Sequence, residues 1–338
     1  MSSSLDPTVD IEAARRRISG LVVRSPLIPS AFLTEAVGVE VFLKLESVQP
    51  TGSFKVRGAA AKMLAASDIT RRRGVVTAST GNHGRAVAYM ARRLEIPATV
   101  CIPASVPAGK VAPLRDLGAR VEVVGDSQAA ALDRARQIEA TDGALFVHPF
   151  DDLDVIAGQG TIAAEIVEDL PGVATVVVPL SGGGLMAGVA TGMDRLVPSA
   201  ALVGVSMTRA PMMAMSVETG RPIEVAEEPT LADSLRGGIG LGNRHTFEIV
   251  RRLVDSVVLM DEDAIWEAMK LLLEQHRLVV EGAGAVGVAA AMKGALGQGP
   301  VAIVVSGANI ELDHLAALLA GDPSPTSHPT ALYDRSRS

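Results

Sequence analysis

The chain has 338 residues, a length that suggests about two domains. With 48% apolar and 20% charged residues it can bury a large core, which excludes global disorder. The net charge is -7, aromatic residues are only 3%, and no basic stripe alternates with aromatics, which argues against nucleic-acid binding.

In chain order, residues 1–10 are polar and acidic without an apolar h-region, so no secretory signal is expected. Short β-branched runs predict strands at 41–45, 74–78, 98–102, 120–124, 145–148, 175–179, 202–205 and 301–305. Ala/Leu-rich segments between them predict helices at 53–66, 82–94, 108–117, 129–140, 155–170, 185–196, 262–275 and 285–295. Strands alternating with helices of this length imply an α/β fold with parallel sheets covered by helices on both faces. Two sheets are expected, with residues 70–148 as a small inserted domain and residues 1–69 and 149–320 as the large one. Residues 207–243 are rich in Met, Gly and Pro and predict irregular connections, and the polar tail 321–338 predicts disorder. The single cysteine, Cys101, lies in the apolar run Ala98-Thr99-Val100-Cys101-Ile102 and is expected to be buried and inert. No uncharged apolar stretch is long enough to span a bilayer, so a cytoplasmic protein is expected.

The stretch Thr51-Gly52-Ser53-Phe54-Lys55-Val56-Arg57-Gly58 places a lysine at the start of a predicted helix, with Ser53 as its candidate N-cap. The positive end of the peptide dipoles disfavours an ammonium there. A neutral amine is what a carbonyl cofactor needs to form a Schiff base. By itself the octapeptide also fits a solvated lysine.

Three polar, glycine-bearing loops follow predicted strands, where parallel sheets bind ligands. They are Ser79-Thr80-Gly81-Asn82-His83-Gly84, Ser181-Gly182-Gly183-Gly184 and Ser306-Gly307-Ala308-Asn309. The triple glycine opens into a helix at Leu185, which makes an anion cradle fit for a phosphate. No Lys-Ser/Thr follows it, so it is not a triphosphate-binding P-loop. The first loop offers donors for a carboxylate, although Ser79 or Asn82 could simply cap a helix. Gly282-Ala283-Gly284-Ala285-Val286-Gly287 follows Leu278-Val279-Val280, a possible strand, and fits a dinucleotide fingerprint literally. The acidic residue expected about 20 positions on is missing, so a close-packed helix start is the better reading. The six histidines are scattered without metal-ligand spacing, and no metal site is expected.

In combination, these motifs resemble the fold type II pyridoxal-phosphate enzymes, in the serine/threonine dehydratase family. The resemblance also takes in Lys44-Leu45-Glu46 and Glu281-Gly282-Ala283-Gly284-Ala285, and covers residues 10 to 320. It implies a two-domain, tryptophan synthase β-like fold with pyridoxal 5'-phosphate as cofactor. Lys55 would carry the cofactor and act as base, Phe54 would pack on its ring, and Asn82 would bond the ring hydroxyl. Ser181, Gly182, Gly183, Gly184 and Leu185 would hold the phosphate, and Ser306 would meet the pyridine nitrogen. Ser79, Thr80, Gly81 and His83 would surround the carboxylate of a small amino-acid substrate. The implied reaction is α,β-elimination of water from a hydroxy amino acid, giving a keto acid and ammonia.

Thr80 stands where related racemases have a serine, so racemisation is an alternative, as is β-replacement. Ser206, Met212 and Met213 stand where some relatives have acidic metal ligands. The segment from Ala232 to Arg244 looks like that of the hydroxyectoine-utilisation dehydratases. A homodimer is the habit of the family. A non-catalytic cofactor-binding protein and a dinucleotide oxidoreductase are the competing classes.

Overall fold

The computed structural model describes residues 9–325. Ten strands form two sheets: β1 (Leu27–Pro29), β2 (Val41–Leu45), β3 (Val75–Ala78), β4 (Ala98–Ile102), β5 (Arg120–Val123), β6 (Leu145–Phe146), β7 (Thr175–Pro179), β8 (Ala201–Met207), β9 (Ser256–Met260) and β10 (Val301–Val305). The larger sheet has the order β1-β2-β10-β7-β8-β9 and the smaller the order β5-β4-β3-β6. Every residue of β3, β7 and β10 is buried, as expected of strands sandwiched between helical layers. The α/β class with parallel-dominated sheets is therefore what the structure shows.

Several expectations need correcting. The pair β1–β2 is antiparallel, with Leu27 opposite Lys44 and Pro29 opposite Phe42. Pro29 cannot donate to a ladder and sits on the strand at the sheet edge, where that costs little. Strands β1 and β9 escape sequence reading because they are partly exposed edge strands without clean alternation. Leu278-Val279-Val280 forms no strand, and the helix Gly282–Met292 begins directly after Glu281. The Met-rich region contains a helix, Met212–Thr219, before the irregular stretch. Most of the expected tail, residues 326–338, lies outside the described residues. The preceding part is placed: Trp266 Nε1 donates to the carbonyl of Asp322 at 3.2 Å, and Ser324 is buried. Cys101 is fully buried, and burial pushes its thiol up to about 11.

Register decides where the site forms. Strands β2 and β10 run parallel, with Val41 beside Val301 and Leu45 beside Val305. Strand β7 flanks β10 on its other side, also parallel. The loops after all three strands therefore leave the same sheet edge together. The loop after β3 approaches from the smaller sheet.

Behind this edge lies a buried ionic cluster. Arg57, two residues beyond Lys55, donates to Glu46 at 2.8 and 2.9 Å and to Glu165 at 2.7 and 2.9 Å. Lys44 donates to Glu165 at 2.7 Å and to the carbonyl of Ser25 at 2.6 Å. Lys44 and Arg57 balance Glu46 and Glu165, so the cluster is neutral and its members satisfy one another. Burial alone would raise the Glu46 carboxyl, but the Arg57 charge and hydrogen bonds outweigh it and hold it below the usual range.

Candidate active site

Lys55 is the first residue of the helix Lys55–Ala65, and Phe54, not Ser53, occupies the cap position. The Ser53 hydroxyl is buried without a partner. The lysine loop is instead locked to the loop after β10. Phe54 N donates to the carbonyl of Ser306 at 3.1 Å, Ala308 N donates to that of Gly52 at 2.8 Å, and Ser53 bridges to Gly307. Ser306 is buried, and its hydroxyl makes only a long 3.4 Å contact to the carbonyl of Ala283.

Lys55 Nζ donates to the carbonyl of Pro149 at 2.7 Å and lies 5.2 Å from the Phe54 ring centre. Burial lowers its pKa to about 8, against the opposing pull of the Glu281 charge. Desolvation, rather than the helix dipole, is the main cause. At pH 7 the ammonium still predominates, so the free chain does not hold the amine neutral as the sequence suggests.

Pro149 is held from two directions. His148 Nδ1 accepts from Phe150 N at 3.2 Å and Asp151 N at 2.8 Å, and burial takes that imidazole down to about 4. The Asp151 carboxylate accepts from the backbone N–H groups of Arg244, His245 and Thr246 at 2.7, 2.9 and 2.9 Å, at the start of the helix Thr246–Leu253. Sequence reading missed this clamp. The run His148-Pro149-Phe150-Asp151, lying past a strand end, was its only trace.

Phe150 also closes over the glycine loop. A Cβ at Gly182 would lie 2.5 Å from its ring, and one at Gly184 would lie 2.8 Å from its Cα. Gly183 has φ +88° and precedes the helix Gly184–Leu196, whose first N–H groups lack helical partners. Leu185 is buried in the first turn, and the Ser181 hydroxyl donates to the carbonyl of Leu235 at 2.8 Å.

The loop after β3 joins through Asn82. Its Nδ2 donates to Glu281 Oε1 at 2.7 Å and Ser234 Oγ at 3.2 Å, and its Oδ1 accepts from Asn309 Nδ2 at 2.6 Å. Neither Asn82 nor Ser79 caps the helix Asn82–Arg93, whose cap residue is Gly81. Ser79 and Thr80 are half-buried and Gly81 is exposed. His83 is buried, with Nε2 2.9 Å from the carbonyl of Val147. Burial and then the Lys55 charge take it down to about 3. It is neutral at working pH and can offer a carboxylate no charge. Asn309, Glu281 and Ser234 belong to this network; all three lie in stretches singled out in the sequence, but none was given a role there.

Residues 18–307 match the family described as "Pyridoxal-phosphate dependent enzyme". The chain belongs to this family. It is 44% identical over 311 residues to the L-threonine ammonia-lyase of Thermotoga maritima, covering 92% of this chain and 77% of that protein. It is 37% identical over 313 residues to the catabolic L-threonine dehydratase of Escherichia coli K12, covering 91% and 94%. The structure of maize serine racemase superposes with a TM-score of 0.85 at 34% identity, covering 92% of this chain and 97% of that one.

The site of this pyridoxal-phosphate-dependent enzyme fits its cofactor on structural grounds. It brings together a lysine amine, a glycine turn whose crowding excludes any Cβ, and the buried hydroxyls of Ser53 and Ser306, of which Ser53 has no partner. Gly184→Ala should push the Phe150 segment off the turn. An overpacking cost of about 1–3 kcal/mol, if borne by the bound state, corresponds to about fivefold to 150-fold weaker cofactor affinity. Equilibrium titration of the apoprotein by absorbance measures it. Among the described residues no cluster of His, Cys, Asp or Glu has the makings of a metal site, and no helix is long and apolar enough to cross a membrane.

Proposed function

We propose that this chain is an ammonia-lyase that removes water from a hydroxylated amino acid of the threonine or serine type, leaving a keto acid and ammonia. The observation that carries the reading is the meeting of the Lys55 loop with the Ser306–Asn309 loop, with the glycine loop through Pro149 and Phe150, and with Asn82 of the smaller sheet. When bound, pyridoxal phosphate supplies an electron sink for charge at the substrate Cα.

The chain's own residues would do the rest. The backbone of Ser181, Gly182, Gly183, Gly184 and Leu185 would grip the phosphate, with the helix dipole behind it. The Ser306 hydroxyl would face the ring nitrogen, Asn82 the ring oxygen, and Phe54 the ring face. Ser79, Thr80, Gly81 and His83 would surround the substrate carboxylate at the start of the helix Asn82–Arg93, His83 as a neutral imidazole. The Lys55 amine, once free and neutral, would take the Cα proton. A desolvated site brings its pKa close to the range that work requires.

The likeness to threonine ammonia-lyases and dehydratases supports threonine as a substrate, and the 232–244 segment keeps a hydroxyectoine-derived compound as a rival. The Thr80 hydroxyl and the likeness to maize serine racemase favour racemisation as a side activity. A cytoplasmic homodimer with residues 70–148 as a small domain completes the proposal.

The test offers threonine, serine, hydroxyaspartate and hydroxyectoine derivatives to the purified holoenzyme and measures ammonia, keto acid and product chirality. Keto acid from at least one of them is expected. Thioether formation from an activated serine, with negligible keto acid, would replace this reading with β-replacement.

A further inference from the structure

Glu281 has no role in the reading above, yet it is buried in the middle of the site. It occupies the N-cap position of the helix Gly282–Met292 but makes no side-chain capping hydrogen bond. Its side chain turns instead to the amide of Asn82, which belongs to the loop after β3 of the other sheet. Gly307 makes room for it, since a Cβ there would lie 2.4 Å from Glu281 Oε1.

The contact decides which way Asn82 faces. With Glu281 and Ser234 accepting from Nδ2 and Asn309 donating to Oδ1, only one orientation of the amide satisfies all three partners. Asn309 is pinned in turn, because its Nδ2 donates to the carbonyl of Thr51 at 2.9 Å and its Oδ1 accepts from Arg85 at 2.8 Å.

We infer that Glu281 is a positioning residue for the elimination reaction: it fixes the orientation of the Asn82 amide and places an ionisable carboxyl among the loops that carry Lys55. The inference rests on the pyridoxal-phosphate reading of the same site. No cation lies within ion-pair distance of this carboxyl among the described residues. The groups that bear on it are Asn82 and Ser234 by hydrogen bond, Asp233 and Arg85 by charge, and Lys55, which feels its charge in return. Burial, the largest cause, pushes the carboxyl up to about 7, with Asp233 adding to the rise and Asn82, Ser234 and Arg85 opposing it. Near neutral pH it passes between an acid and a carboxylate. The carboxylate form favours an ammonium at Lys55 and the acid form does not.

The experiment compares the wild-type holoenzyme with Glu281→Gln and Glu281→Asp. It records the visible absorption of bound cofactor and the pH profiles of kcat and KM. Glutamine keeps an acceptor for Asn82 but cannot ionise. The wild type is expected to show an inflection near pH 7 in both spectrum and kcat, and Glu281→Gln to retain cofactor and lack it. Aspartate ionises but is one methylene short, so its inflection is expected to move and its kcat to fall about tenfold through misplacement of Asn82. An inflection unmoved in both variants, with kcat and KM within about twofold of wild type, would overturn the inference. If Glu281→Gln does not fold, an unmoved inflection in Glu281→Asp alone would do so. Wild-type protein without a cofactor band or turnover would count against the dehydratase reading itself, a result distinguishable from an unmoved inflection in an active enzyme.

Discussion

Replacing Lys55 with alanine is expected to lower keto-acid release by about 10⁴-fold or more, because the substitution removes both the covalent anchor and the base. Reverse-phase analysis should then find no cofactor attached to the chain after borohydride reduction, whereas wild-type protein should carry it. The fold should survive. The Lys55 head makes one hydrogen bond, to the carbonyl of Pro149, and contributes nothing to the core clusters. Its lowered pKa also fixes the sign of the stability effect in the apoprotein. Below about pH 8 both folded and unfolded chains carry the ammonium, and folding works against its partial desolvation. The melting temperature of Lys55→Ala apoprotein is therefore expected at or above that of wild type at neutral pH. The difference should shrink as the pH rises from about 8 toward 10.5, where the wild-type amine is neutral. A variant that melts well below wild type at pH 7 would contradict this account of the site.

Arg57→Ala should have the largest effect on stability. Arg57 is fully buried and is the hub of the ionic cluster, donating to both Glu46 and Glu165. Without it, Lys44 alone would face two buried carboxylates. Breaking such a cluster by removing one partner costs about 3–5 kcal/mol, far more than an intact neutral cluster contributes. A urea midpoint that falls steeply at constant m-value is the expected observation. Arg57→Lys should recover little of the loss, since an ammonium cannot fork between two carboxylates as a guanidinium does. Because Arg57 shares a helix turn with Lys55, the residual activity of any folded fraction should fall as well.

Much of this molecule can be read from its residues, and the exceptions have physical causes. The five-residue, mainly apolar runs at β2, β4, β7 and β10 have ends that coincide with prediction. The edge strands β1 and β9 are half-exposed, so nothing in their pattern demands a strand. The Lys55 and glycine loops announce themselves because their residue types are costly unless used. Ser53 misled, since its position suits a cap, but the pairing of Ser53 with Gly307 takes it away from the helix. The Pro149–Asp151 clamp and the Asn82–Glu281 contact join residues remote in the chain. No local propensity encodes such pairings, and only the register of two sheets brings them together.

The placement of β10 beside β2 sets the timing of assembly. One of the first strands in the chain has its closest parallel neighbour in the last. A nascent chain emerging from the ribosome can form the smaller sheet early. It cannot complete the edge that carries Lys55 until residues near Asn309 are free to pair, and such long-range closure slows folding. Cofactor capture should accordingly wait until those residues have emerged from the ribosome. Ribosome-bound chains stalled before Val301 should bind none of it, however long they wait.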